Sequence, residues 1–222
     1  TTVSGLPGFQ HLYGRLRAMA FYNLVPAAMR EPVPVDGGMQ LARDGRNIGS
    51  AIEGLKRKTP DTLKRVIAYL AKIVPDVTDV ERLLVGSRET VEFKQGAWTF
   101  EALQMSDGTL RALGVLTAAL QGGMAPLVGI EEPEIALHPA AFGVLRDALA
   151  EGSESAQLLI TSQSPELLND PDIKLDQILA AEYVKGETRL GAIAKASADM
   201  LRTKLFTVGE LVRQDQIEVA AP

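Results

Sequence analysis

Three carboxylates, Glu131, Glu132 and Glu134, close a short apolar run, Leu127-Val128-Gly129-Ile130. The run has the length and composition of a buried strand, while carboxylates cannot be buried without a cation or a donor network. A strand that delivers adjacent acids at its carboxyl end is what metal-assisted phosphoryl chemistry uses. A pair of loop acids in water would read the same way, and the pair alone leaves both open. Upstream, Ser106-Asp107-Gly108-Thr109-Leu110-Arg111 is a small polar turn opening a helix. Free N–H groups there, with a hydroxyl and a glycine, make an anion site, or the serine simply caps the helix. Downstream, Leu158-Leu159-Ile160 runs into Thr161-Ser162-Gln163-Ser164-Pro165, a second apolar strand ending in hydroxyls and an amide. Strands that follow one another in this way place the acids and the hydroxyls at one sheet edge. Capping alone is a poor explanation for three polar clusters that converge.

The elements that position these clusters follow from periodicity and turn chemistry. The chain to about Arg46 reads as irregular, with a helix over His11 to Asn23 broken up by Pro26, Pro32 and Pro34. Ile48, Ala51, Ile52 and Leu55 recur at helical spacing. Thr59-Pro60-Asp61 predicts a capped helix that buries Leu63, Val66, Ile67, Leu70 and Ile73 and stops at Pro75. Val80 to Val85, Thr90 to Lys94 and Ala97 to Phe100 predict short antiparallel strands turning at Gly86 and Gly96. The pattern then becomes helix Leu110 to Leu120, strand Pro126 to Ile130, helix Ala140 to Ala150 and strand Gln157 to Thr161. Strand, helix, strand at this spacing predicts parallel neighbours. A strand over Gln177 to Ala181, a hairpin at Gly186 and helices near Ala198 to Leu205 and Val208 to Arg213 complete the expectation.

Composition bounds the classes. The chain of 222 residues is 46% hydrophobic and 23% charged, which reads as globular. It has no cysteine, so disulfides, thiolate metal sites and cysteine nucleophiles are excluded. A net charge of −5 argues against a basic nucleic-acid surface over the whole chain. Lys56-Arg57-Lys58 with Lys64-Arg65 reads as a solvated helix end. The sequence contains neither an apolar stretch of membrane-spanning length nor a signal peptide, so no membrane partner and a cytoplasmic setting are expected. It starts at Thr1-Thr2, which reads as a fragment or a processed product.

Taken together, the three motifs resemble the ATP-binding cassette ATPases, in the RecF/SMC/OLD-like branch. The signature motif corresponds to Ser106 through Arg111, the Walker B strand to Leu127 through Glu132, the D-loop to Ile135-Ala136-Leu137-His138 and the switch loop to Thr161 through Pro165. Leu41-Ala42-Arg43-Asp44-Gly45-Arg46-Asn47 is similar to a segment common in that branch, so the resemblance spans most of residues 40 to 170. It implies the α/β fold of a P-loop NTPase, here the C-terminal lobe: a mainly parallel sheet flanked by helices. Residues 1–100 would form a helical and antiparallel β segment, and residues 101–222 the lobe with the motifs. It implies ATP and Mg²⁺, with Glu131 holding the metal and Glu132 orienting or deprotonating the attacking water. Two heads would sandwich nucleotide as a homodimer, so that Ser106, Asp107 and Gly108 act in trans, with Ala136, Leu137 and His138 as the D-loop. DNA repair or bacterial defence, with DNA or a nuclease as partner, follows from the same likeness.

Two departures bear on activity. The switch position usually carries histidine and here is Gln163; an amide hydrogen-bonds a phosphate or a water but carries no proton. The sequence contains no Gly-x-x-x-x-Gly-Lys-Ser/Thr, and Gly5, Gly8 and Gly14 give a glycine-rich start without the lysine. The chain alone is then expected to be inactive, with hydrolysis requiring a phosphate-loop half. A catalytically silent interaction module of the same fold is the alternative, and a metal-dependent nuclease a third reading.

Overall fold

The first helix, α1 (Pro7–Arg17), ends well short of the expected Asn23, and β1 (Ala20–Tyr22) follows it. Ala20 and Tyr22 are buried while Phe21 is 51% exposed, the alternation of a strand. In the computed structural model, residues 7–37, 40–123, 125–170 and 173–220 are described; Thr1, Thr2 and Gly5 lie outside them. The described residues form two compact units, one running through Thr161 and one from Ser162.

In the first unit, α2 (Pro26–Arg30) starts with Pro26, and β2 (Val33–Pro34) follows. Helices α3 (Ile48–Lys58) and α4 (Pro60–Ile73) bury the expected stripes, with Ile67 and Ile73 only half-buried. The Thr59 hydroxyl makes no capping bond; its N–H donates to Leu55 O at 2.9 Å, so this residue closes α3 as it opens α4. β3 (Val77–Val85), β4 (Arg88–Gln95) and β5 (Trp98–Glu101) form an antiparallel meander that turns at Gly86 and Gly96, both at positive φ. β2 pairs with the start of β4, on the edge that β5 shares.

The centre of the unit is α5 (Asp107–Leu120), in which every residue from Thr109 to Leu120 is buried. β6 (Leu127–Glu131), α6 (Phe142–Ser153) and β7 (Gln157–Thr161) form the predicted βαβ unit. β6 pairs in parallel with β1 on one side and β7 on the other, in register from Leu127↔Gln157 to Glu131↔Thr161. Val128 and Ile130 point into the core, where α5 packs on β6 and α6 on β7. The opposite face carries Phe21, Gly129 and Leu159, and Leu159 is 45% exposed. A Cβ on Gly129 would fall 2.5 Å from Phe21 Cδ1, so glycine lets the ring lie across the sheet. The result is an α/β fold with a parallel sheet and packed helices.

The second unit holds α7 (Pro165–Leu168), a hairpin of β8 (Ala180–Val184) and β9 (Glu187–Gly191), α8 (Lys195–Arg202) and α9 (Val208–Arg213). The strand expected from Gln177 starts at Ala180, because Gln177 belongs to a 3-10 turn and its side chain accepts from Lys174 N at 2.8 Å. The hairpin turns at Lys185-Gly186, as expected, and both residues have positive φ. Thr207 and Glu210 cap α9 reciprocally.

Candidate functional site

Strand alternation sends Ile130 into the core and leaves Glu131 exposed at the carboxyl end of β6. Glu132 then leaves the strand at φ +43°, a left-handed conformation that costs a non-glycine residue about 1–2 kcal/mol. Its N–H donates to Thr161 O at 3.0 Å, which ties the end of β6 to the end of β7. The chain turns there: Ile135 N donates to Glu132 O at 3.2 Å and Leu137 N to Glu134 O at 3.0 Å. Glu134 is buried. Acids in this position need a nearby cation, and α5 supplies it.

Arg111 is buried in that helix and reaches three carbonyls. Nη1 donates to Leu24 O at 2.6 Å, and Nη2 donates to Glu131 O at 3.1 Å and Glu132 O at 2.9 Å. Burial pulls its pKa below the usual arginine value, while the charges of Glu132, Glu134 and Glu131 push it up. One guanidinium thus fixes the backbone that presents the candidate metal-holding acid and the candidate catalytic acid, beside an otherwise apolar strand. Arg111 sits inside the signature motif, yet motif reasoning assigns it no task. The signal was there: it is a lone arginine in a run of apolar and small residues.

The signature turn is built from the same chain. Ser106 caps α5, its Oγ accepting from Thr109 N at 3.1 Å and lying 2.9 Å from Thr109 Oγ1. Arg30 of α2 pairs with Asp107 at 2.5 Å and donates to Met105 O at 2.8 Å. A Cβ on Gly108 would fall 2.4 Å from Ala136 O, so the glycine permits contact with the D-loop backbone. Ala136 itself has φ +65°, and the His138 ring accepts from Ala140 N at 3.2 Å through Nδ1. Signature turn and D-loop are therefore brought together within one chain. In the second unit, Gln163 lies in the turn before α7, where Ser164 Oγ accepts from Leu167 N at 3.2 Å and Ser162 Oγ from Ser164 N at 3.0 Å.

A groove of about 330 Å³ opens at the carboxyl ends of the parallel strands. Phe21 and Leu159 line it together with the polar residues Asn23, Arg43, Glu131 and Thr161. Among the described residues no three His, Cys, Asp or Glu side chains gather into a metal cage. Mg²⁺ does not need one, since it binds through one or two carboxylates with phosphates and waters completing the shell. Glu131 is exposed, and among the described residues its carboxylate carries no hydrogen bond or ion pair, which fits that role.

Residues 33–169 match a family model described as "AAA domain, putative AbiEii toxin, Type IV TA system", and that stretch is more than half of the 222 residues. The chain belongs to this AAA-domain family. Every motif named above falls inside the matched stretch. The AAA-type chain is also similar to solved SMC heads. One, from work on ATP-driven dimerization and DNA-stimulated activation of SMC ATPases, is 17% identical with a TM-score of 0.47, over 69% of this chain and 96% of that one. An SMC head bound to the C-winged helix domain of ScpA is 14% identical, TM-score 0.49, over 66% and 46%. An SMC head with an extended coiled coil from Pyrococcus furiosus, bound to the C-terminal domain of ScpA, is 15% identical, TM-score 0.49, over 69% and 40%. The chain thus spans less than half of the latter two. None of the curated proteins matches it. Among the described residues no helix is long and apolar enough to cross a membrane.

Proposed function

We propose that this AAA-type chain is the water-activating lobe of an ATPase head that hydrolyses ATP with Mg²⁺ and couples hydrolysis to head dimerisation. The observation that carries the reading is the presentation of Glu131 and Glu132 at the carboxyl end of β6, held from beneath by Arg111. Bound Mg²⁺ would neutralise phosphate charge, and Glu131 would hold it. Glu132 takes a proton from the attacking water as the water oxygen bonds to the γ-phosphorus; the bond to the bridging oxygen breaks, leaving ADP and phosphate. Gln163 hydrogen-bonds a phosphate oxygen or that water without carrying a proton. Ser106, Asp107 and Gly108 face the nucleotide of a second copy, with Ala136, Leu137 and His138 at the joint. Residues 1–100 serve as the segment before the signature and residues 101–222 as the motif-bearing lobe. The phosphate loop comes from another segment, since the sequence has no Gly-Lys pair. The setting is cytoplasmic, in DNA repair or bacterial defence, with DNA or a nuclease as partner.

In a protein supplied with the phosphate-loop half, Glu132→Gln is expected to lower ATP turnover by roughly 10²–10⁴-fold while keeping ATP-dependent dimerisation. Unchanged turnover would remove Glu132 from the mechanism. The absent Gly-Lys pair and Gln163 favour a second reading, a silent interaction module of the same fold. Nucleotide titration of the completed protein separates the two, and no binding there supports the module.

A further inference from the structure

Arg43 is an exposed cation that the chemistry above leaves unused. Its backbone is fixed: Asn23 N donates to Arg43 O at 3.0 Å, Val25 N to Asp44 O at 3.1 Å, and Gly45 N closes the turn onto Ala42 O at 2.9 Å. Gly45 takes φ +81°, and a Cβ there would fall 2.8 Å from Met29 Cγ, so the turn is seated on the core. The adjacent acid is taken, because Asp44 pairs with Arg46 at 2.7 Å. Among the described residues the Arg43 guanidinium makes no hydrogen bond or ion pair. It nevertheless lines the same groove as Glu131.

Two opposite charges that share a groove without pairing fit a ligand that brings both signs with it. A magnesium–polyphosphate is such a ligand: the carboxylate meets the metal, and the guanidinium fork meets the phosphate oxygens. The place agrees, since ligands of open α/β sheets bind beyond the carboxyl ends of the strands. Asn23 and Thr161 add an amide and a hydroxyl to the lining. We propose that Arg43 is a phosphate-binding residue, donating to the phosphate oxygens of a magnesium nucleotide whose metal Glu131 holds. This rests on the ATPase reading and adds a cation from this lobe to whatever the phosphate loop supplies.

The test uses the 222-residue chain and tripolyphosphate, with and without MgCl₂, followed by the arginine Nε–H resonances in NMR. The Arg43 signal is expected to move saturably while that of Arg46 stays in place. Arg43→Gln should weaken binding about tenfold, Arg43→Lys should recover part of the loss, and Glu131→Gln should abolish only the magnesium enhancement. A stationary Arg43 signal, or equal binding by Arg43→Gln, overturns the proposal. Its failure is separable from that of the ATPase reading. Turnover by the completed protein with an Arg43→Gln KM equal to wild type sinks the phosphate role alone. Tripolyphosphate binding through Arg43 without turnover in any form sinks the ATPase reading alone.

Discussion

Arg111 does for this site what none of its acids can do. Three carbonyls, those of Leu24, Glu131 and Glu132, accept from one buried guanidinium. A methionine in its place keeps the volume but withdraws the guanidinium donors, leaving Glu132 O with only its bond from Ile135 N. Arg111→Met should therefore cost about 2–4 kcal/mol, read as a lower denaturation midpoint. Lysine would keep the charge but lose the fork that reaches separate carbonyls, so Arg111→Lys should recover only part. Gly108 adds a second constraint, because its missing side chain is what admits the Ala136 carbonyl. The left-handed Glu132 and Ala136 both lie in the short turn that these two residues hold.

At the scale of elements, the meander and α3 are joined by charge as well as by packing. Glu81 on β3 accepts from Lys56 of α3 at 2.6 Å and from Lys94 of β4 at 2.8 Å. The bond from Lys56, then that from Lys94, holds its pKa down to about 2 from an ordinary 4.5. A carboxylate whose folded pKa is depressed contributes stability that is present above pH 4.5 and is lost as the pH falls toward 2. Water screens a group this exposed, so the contribution is no more than about 1 kcal/mol. Glu81→Gln should lower the melting temperature slightly at neutral pH, and the gap should close on acidification. A gap independent of pH would assign the effect to packing.

For the whole molecule, the parallel sheet of the first unit leaves large apolar side chains on one face about half exposed among the described residues. Parallel sheets are as a rule buried on both. Here Phe21 and Leu159 are about half exposed, and β7 is the terminal strand with no described partner beyond it. An apolar edge strand without lysine or proline is an invitation to pairing. If a phosphate-loop half completes this sheet, the β7 amides that point away from β6 should exchange hydrogen rapidly in the chain alone. They should be protected when that half is added. Equal exchange in both states would place the half elsewhere.

Local chemistry was legible in the letters. The apolar run before Glu131, the Ser106 cap, the βαβ spacing and the glycine turns of the meander are all set by neighbours within a few residues, and all form as expected. The first misread element has its partner far away in sequence. Ala20–Tyr22 is a strand because it pairs with Val128–Ile130, a partner more than a hundred residues away that no local pattern announces. Arg111 beneath the acids, Gly108 against Ala136 and Arg43 facing the groove of Glu131 likewise join residues that only folding brings together. The sequence by itself determined which residue types could handle a phosphate and its metal. Tertiary packing decided which backbone held them, because buried carbonyls and unpaired charges take their partners from whatever the fold places within reach.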